Sequence, residues 1–408
     1  MAEKNDTGKG QPFSRRVLLA GGALAAISAG CGGVLPAAAP RGPSGRRRIR
    51  DLGIRIGSMS PGPFNAITDV PGVRVGHVTR IEGEGPLVPG RGPIRTGVTV
   101  IMPGDDVWRD NVPAARFTLN GNGELTGVAT VDRHGLLETP IFLTDTSNIG
   151  RVMDGALGWM LDTYPEIGDT APVPTPIVGE TWAAFLHDAE GRHLTEEHVR
   201  EAISKARSGP VEEGAVGGGT GMTCYEFKGG IGTASRKLPA DMGNHTLGVL
   251  VQANHGRRTQ LRIDGVPVGR EIPEDMLFEG RKTKSILIIG ATDAPMTPMQ
   301  LGRLAKRMAL GLGRTGAVSM SGSGDLLLFF STGARVRRGA TLTAAPVWND
   351  EHINTAFEAA VECTEEAVLN ALAMARTTTG IHGNTAYALP LERLPEIMRK
   401  YGRPVVAP

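Results

Sequence analysis

A layered α/β sandwich is the fold class that the sequence predicts, and three observations predict it. Short apolar runs bounded by Gly, Pro or Thr, as at Gly97–Met102 and Pro140–Leu143, read as buried strands. Longer stretches with apolar residues at helical spacing, such as Asn349–Ala375, lie between the strand segments. The order of the two kinds is not the regular alternation with crossover helices that a doubly wound sheet requires. A chain of 408 residues with 40% hydrophobic content can fill one large core or two medium ones. With 44 Lys+Arg against 42 Asp+Glu, nothing argues for a nucleic-acid partner.

Along the chain, Ser14-Arg15-Arg16-Val17-Leu18-Leu19 precedes an apolar small-residue stretch from Ala20 to Ala29, followed by Ala37-Ala38-Ala39. Residues 1–39 therefore read as a twin-arginine-type export signal, implying a periplasmic or extracellular destination. Their apolar stretch is too short to span a bilayer core of about 30 Å, so no transmembrane anchor is expected. Cys31 after Ser28-Ala29-Gly30 offers a lipoprotein processing site as the alternative to cleavage after Ala39. Residues 40–50 read as a flexible basic leader, with Arg46-Arg47-Arg48 as a solvated tail.

Helices are expected over Asn148–Thr163, Thr195–Ala206 with Thr195 as N-cap, Met299–Leu312 and Asn349–Ala375. In the last, Asp350 is the expected cap, and Ile353, Phe357, Val361, Val368 and Leu372 form one apolar face. Further apolar strands are Leu247–Val251, Ile286–Ile289 and Leu326–Phe330. The glycine-rich stretch Gly214–Gly221 lacks the Gly-Lys-Ser/Thr ending of a phosphate cradle, and with Lys228–Ser235 it reads as loops beside a cleft. Cys224 and Cys363 are compatible with a disulfide or with two buried thiols. No cysteine or histidine spacing suits a zinc site, and neither metal nor cofactor is expected.

Ser285 opens its apolar run directly after Arg281-Lys282-Thr283-Lys284. A serine hydroxyl is a weak nucleophile at neutral pH, but a free α-amino group with a pKa of about 7.7–8.0 can take its proton. Cutting the Lys284–Ser285 bond would supply that amine on the same residue. On the residues alone, a serine at a strand start is also ordinary structure.

Five stretches carry a resemblance: Asn65–His77, Leu119–Glu124, Thr246–Gly256, Ser285–Pro295 and Ser321-Gly322-Ser323-Gly324-Asp325. From about residue 50 onward the chain resembles the self-processing serine aminopeptidases of the DmpA and β-peptidyl aminopeptidase family, related to ornithine acetyltransferases. The resemblance implies an α-β-β-α sandwich like that of N-terminal-nucleophile hydrolases. It further implies residues 51–284 and 285–408 as the two peptides of one domain, assembled into an oligomer of αβ units, commonly four. Ser285 is implied as nucleophile, Asn254 as oxyanion donor, and Ser323 and Asp325 as partners of the nucleophile's amino group. Glu180 is implied as counter-charge to the substrate ammonium, and Trp182 stands where the family often has a tyrosine whose hydroxyl assists the oxyanion site. An indole offers only an N–H donor there. Asp325 is one methylene shorter than the expected glutamate, and Lys284 stands where a small residue or asparagine is expected.

The expected substrate is a short peptide, amide or ester with a free amino terminus. An acyltransferase on the same fold, and an exported binding protein in which Ser285 only starts a strand, stay open at this point.

Overall fold

A computed structural model describes residues 45–272, 285–403 and 405. Two sheets face each other at its centre. The smaller contains β1 (Arg74–Glu82), β2 (Ile94–Met102), β4 (Ile141–Asp145) and β5 (Ile177–Thr181), in the order β1-β2-β4-β5. Only its β4–β5 pair is parallel. The larger is built on β3 (Asp110–Gly121), β9 (Gly324–Ser331), β8 (Ser285–Thr292), β7 (Thr246–Asn254) and β6 (Gly230–Lys237), in that order. Val336–Arg337 and Leu136–Leu137 add short edges to β3, and only β8 and β9 run parallel.

Side-chain alternation along each strand sorts the molecule into layers. Leu287 and Ile289 of β8, with Leu326, Leu328 and Phe330 of β9, meet Ile101, Leu143 and Ile177 between the sheets. Ile286 and Ile288, with Leu327 and Phe329, point the other way, into a core shared with α3 (Pro298–Arg314) and α4 (Ile353–Met374). On the far side, Val98, Val100, Phe142 and Val178 pack against α1 (Ile149–Thr163) and α2 (Glu196–Ser204). The result is the α-β-β-α sandwich. Each strand of the interior is apolar on both faces, which is why the sequence shows runs rather than strict alternation.

The four expected helices form, with Thr195 as the N-cap of α2 and Thr297 accepting from Gln300 N at the start of α3. Three details differ from the sequence reading. Asn349, not Asp350, caps the turn that leads into α4, its side chain accepting from Glu351 N. Helix α4 is buried on nearly all sides rather than along one stripe, because it lies against β6 and β7 below and α3 alongside. Gly230–Lys237 is a strand and not a loop: its glycines answer to close packing, since a Cβ on Gly232 would stand 2.0 Å from Ala367 O of α4.

The basic run is likewise docked where a solvated tail was expected. Arg48 forms a two-point pair with Glu213 at 2.6 and 2.9 Å and donates to Thr233 O. Arg46 reaches Ala373 O and Leu389 O, Ile49 is fully buried, and Arg50 grips Glu366. Alternate arginines find buried carboxylates and carbonyls that composition alone does not reveal. Cys224 and Cys363 are both free and buried. Met1 to Ser44, with the twin-arginine segment and Cys31, and residues 273–284, with Lys284, lie outside the described residues.

Candidate active site

Strands β7 and β8 are antiparallel neighbours, and their register puts Asn254, the last residue of β7, opposite Ser285, the first of β8. Parallel pairing of β8 with β9 sets Gly324 beside Ser285 on the other flank. The Gly324 N–H donates to Ser285 Oγ at 3.2 Å. Ser285 is buried, 6% exposed, so a substrate carbonyl that reached it would meet a site largely cleared of water.

Asn254 follows the parity of Leu250 and Gln252 and faces the smaller sheet, where its Nδ2 donates to Trp182 O at 3.0 Å. Its Oδ1 accepts the Thr223 N–H at 2.9 Å. An amide nitrogen carries two hydrogens, and among the described residues only Trp182 O takes one. With Oδ1 tied to a backbone donor, the amide is fixed as to which side carries its N–H groups, on the residue paired with Ser285. Trp182 thus enters the site through its carbonyl.

Ser323 and Asp325 flank Gly324, and the Ser323 hydroxyl donates to Asp325 Oδ1. Burial raises the Asp325 carboxyl above its ordinary range, against the pull of the Ser319 and Ser323 hydroxyls. Their turn is held from outside: Asn120 Nδ2 donates to Ser323 O at 2.6 Å and to Met320 O at 2.9 Å, and Asn122 Nδ2 to Gly322 O at 2.9 Å. Close approach explains the glycines, since a Cβ on Gly324 would sit 2.7 Å from Asn122 O and 2.9 Å from Gly123 Cα.

Gly123 connects this cluster to Glu180, for a Cβ there would stand 3.2 Å from Glu180 Oε1 and equally near Gly324 Cα. Glu180 sits near the end of β5, accepting from Glu124 N at 3.0 Å through Oε1 and from the Thr146 hydroxyl through Oε2. Asp145 makes that hydroxyl available: it caps the short turn Thr146–Asn148 by accepting from Ser147 N at 2.9 Å. Burial pushes the Glu180 carboxyl up, with Thr146 and the Glu124 N–H pulling it back. Beside it opens a cleft of about 210 Å³ lined by Phe117, Gly123, Glu124, Leu125, Val128 and Leu326.

Ser285, Asn254, Ser323, Asp325 and Glu180 therefore come together from four segments, at one end of the facing sheets. Sequence reasoning assigned no role to Thr146, Thr223, Asn120, Asn122 or Gln252. Gln252 links the sheets by donating to Thr144 O and Thr181 Oγ1, both at 2.8 Å. The alternation Asn120-Gly121-Asn122-Gly123 was a usable signal, because two amides separated by glycine suit a turn clamp. For Thr146 and Thr223 no local signal exists, since both act across long sequence distances.

The family model described as "Peptidase family S58" matches residues 65–386. The chain belongs to that peptidase family. It is 44% identical over 384 residues to the β-peptidyl aminopeptidase BapA of Sphingosinicella microcystinivorans, covering 90% of this chain and 94% of that one. Among solved structures it superposes on a β-aminopeptidase from a Burkholderia species with a TM-score of 0.81 at 43% identity, covering 87% of this chain and 99% of the other. It also superposes on the L-aminopeptidase D-Ala-esterase/amidase of Ochrobactrum anthropi, described as a prototype serine aminopeptidase with a variant of the Ntn hydrolase fold. There the TM-score is 0.81 at 40% identity, with 88% and 99% of the two chains covered. This S58 member is accordingly a hydrolase, a serine aminopeptidase of the N-terminal-nucleophile type.

Proposed function

We propose that this S58 peptidase is exported, cuts itself between Lys284 and Ser285, and then releases amino-terminal residues through an acyl-enzyme on Ser285. The observation that carries this reading is the rung on which Asn254 and Gly324 N flank Ser285. In maturation Ser285 Oγ attacks the Lys284 carbonyl, the peptide nitrogen leaves as the new α-amine, and water hydrolyses the resulting ester. That amine then accepts the Ser285 hydroxyl proton while Oγ attacks a substrate carbonyl. Asn254 stabilises the oxyanion in both reactions, and Ser323 and Asp325 orient the amine. Glu180 pairs with the substrate's ammonium by charge-assisted hydrogen bonds, which excludes blocked termini.

The names of the relatives support β-amino-acyl peptides, with amides and esters of small amino acids as further substrates. The cleft beside Glu180, with Arg116, Thr118 and Glu124 as well as Leu125 and Leu326 in its lining, supports room for a short side chain. The twin-arginine text supports export in the folded state, with cleavage after Ala39 or lipid attachment at Cys31. We assign the working form to an oligomer of αβ units, four being the number implied by the family. Neither the acyltransferase nor the binding-protein reading is favoured by the comparisons.

Intact mass under denaturing conditions tests the reading directly. A fragment from Ser285 to Pro408 is expected, and a single uncut chain with full aminopeptidase activity would overturn it.

A further inference from the structure

Lys228 is a fully buried ammonium whose three acceptors among the described residues are all backbone carbonyls: Met222 O at 2.6 Å, Gly229 O at 2.8 Å and Gly219 O at 3.1 Å. Burying a charge without a carboxylate against it is costly, and an apolar side chain of similar length would fill the same space. What the charge can do there follows from which peptide it touches. Met222 O is one end of the Met222–Thr223 peptide group, and the other end is the Thr223 N–H that donates to Asn254 Oδ1 at 2.9 Å.

We propose that Lys228 is a positioning residue for the oxyanion site, its ammonium acting on the Asn254 amide through the Met222–Thr223 peptide. A cation on the carbonyl oxygen draws electron density through the planar peptide and makes its N–H a stronger donor. The strengthened bond to Asn254 Oδ1 in turn polarises the amide nitrogen, so its remaining hydrogen is both aimed and more positive where the oxyanion forms. No proton moves along this chain. The neighbouring hairpin is built to hold it: Thr223 pairs with Lys228 and Cys224 with Phe227, and Gly229 N donates to the same Met222 O at 3.0 Å.

Burial lowers the Lys228 ammonium to about 7, so the charge that drives the relay is present at lower pH and lost as pH rises through that value. Besides Glu226 and Arg258, which meet at the hairpin turn, the ionisable groups on the packed segments are Cys224, pushed up to about 12, Tyr225, raised well above its ordinary value, and His255, lowered to about 3, all by burial first. Those three keep one charge state across the neutral range.

The inference rests on the role proposed for Asn254, and a double-variant cycle on the mature enzyme separates the two. With an amino-acid p-nitroanilide as probe, Lys228→Met is expected to lower kcat about tenfold to a hundredfold with KM within about twofold. In an Asn254→Ala background it should cost nothing more. If Asn254→Ala leaves kcat unchanged, the active-site reading fails and the relay with it. If Asn254→Ala slows turnover while Lys228→Met is silent, or multiplies the loss in the double variant, Lys228 is structural and only this inference falls. Should Lys228→Met not fold, the pH profiles of the wild type and Lys228→Arg decide. The ratio of wild-type to Lys228→Arg kcat, in which the rising limb of the Ser285 α-amine cancels, should fall as pH rises through about 7, because the guanidinium stays charged. A ratio that stays flat across that range overturns the proposal.

Discussion

Asn254 and Ser285 are Cα partners on the terminal rung of the β7–β8 ladder, one closing its strand and the other opening the next in space. This register fixes which way both side chains point, because a slip of one residue would turn either of them to the opposite face of the sheet.

Replacing Ser285 by alanine should leave a single chain by denaturing mass spectrometry and abolish hydrolysis of an amino-acid p-nitroanilide. The apolar ladder from Ile286 to Ala291 is untouched by this change, so circular dichroism should match the wild type.

Asn254→Ala should slow self-cleavage and substrate turnover alike, by about a hundredfold to a thousandfold, since both pass through an oxyanion. Time courses of fragment appearance after synthesis, set beside kcat, check whether the two losses match.

Glu180→Gln should spare chain cleavage and raise KM for substrates with a free amino group. Burial raises the Glu180 carboxyl, so its charge is lost at a higher pH than an ordinary glutamate's as pH falls. The wild-type KM should therefore climb in mildly acidic buffer, and the glutamine variant's KM should not.

Gly324→Ala should impair the nucleophile while leaving the fold in place. The added methyl meets Asn122 O at 2.7 Å and must shift the strand whose N–H donates to Ser285 Oγ. A kcat loss with a melting temperature within a few degrees of wild type is the expected pair of results.

Away from the site, Arg236 is fully buried between Glu362 at 2.8 Å and Glu366 at 2.6 Å. Burial alone would raise the Glu366 carboxyl, but Arg236 and Arg50 outweigh it and hold the carboxyl at about 2. A folded-state value below the unfolded one gives stability that is complete above about pH 4.5 and lost as pH falls towards 2. Melting temperatures should fall over that window in the wild type, and that component should be missing in Glu366→Gln. Arg236→Met, which leaves the Glu362 carboxylate without its cation and Glu366 to Arg50, should cost about 3–5 kcal/mol.

Much of this architecture is written in local sequence. Runs such as Ser285–Ile289 and Leu326–Phe330 declare buried strands because both faces are covered, and Thr195 and Thr297 mark helix starts by their capping chemistry. The motif residues Asn254, Ser285, Ser323 and Asp325 were legible through resemblance. Position-independent cues failed where a residue's meaning depends on a distant partner. Arg48 looks like any solvated arginine until Glu213 is beside it, and the glycines of Gly230–Lys237 look like a loop until α4 lies across them. Thr146 and Thr223 are similarly silent, since the Glu180 carboxylate and the Asn254 amide they meet are brought near only by the packed sheets, and nothing in the sequence around Lys228 shows that its ammonium is buried among carbonyls.

The strand order of the larger sheet has a consequence for the two peptides that maturation would leave. β8 and β9, which follow the 284–285 bond, are wedged between β7 and β3, which precede it. Neither fragment owns the larger sheet: one would have a gap two strands wide in it, and the other a parallel pair with both margins bare. The pieces are thus obligate complements, and a cut enzyme should travel as one particle until it is denatured. Made separately, they should be insoluble alone and regain activity only when refolded together.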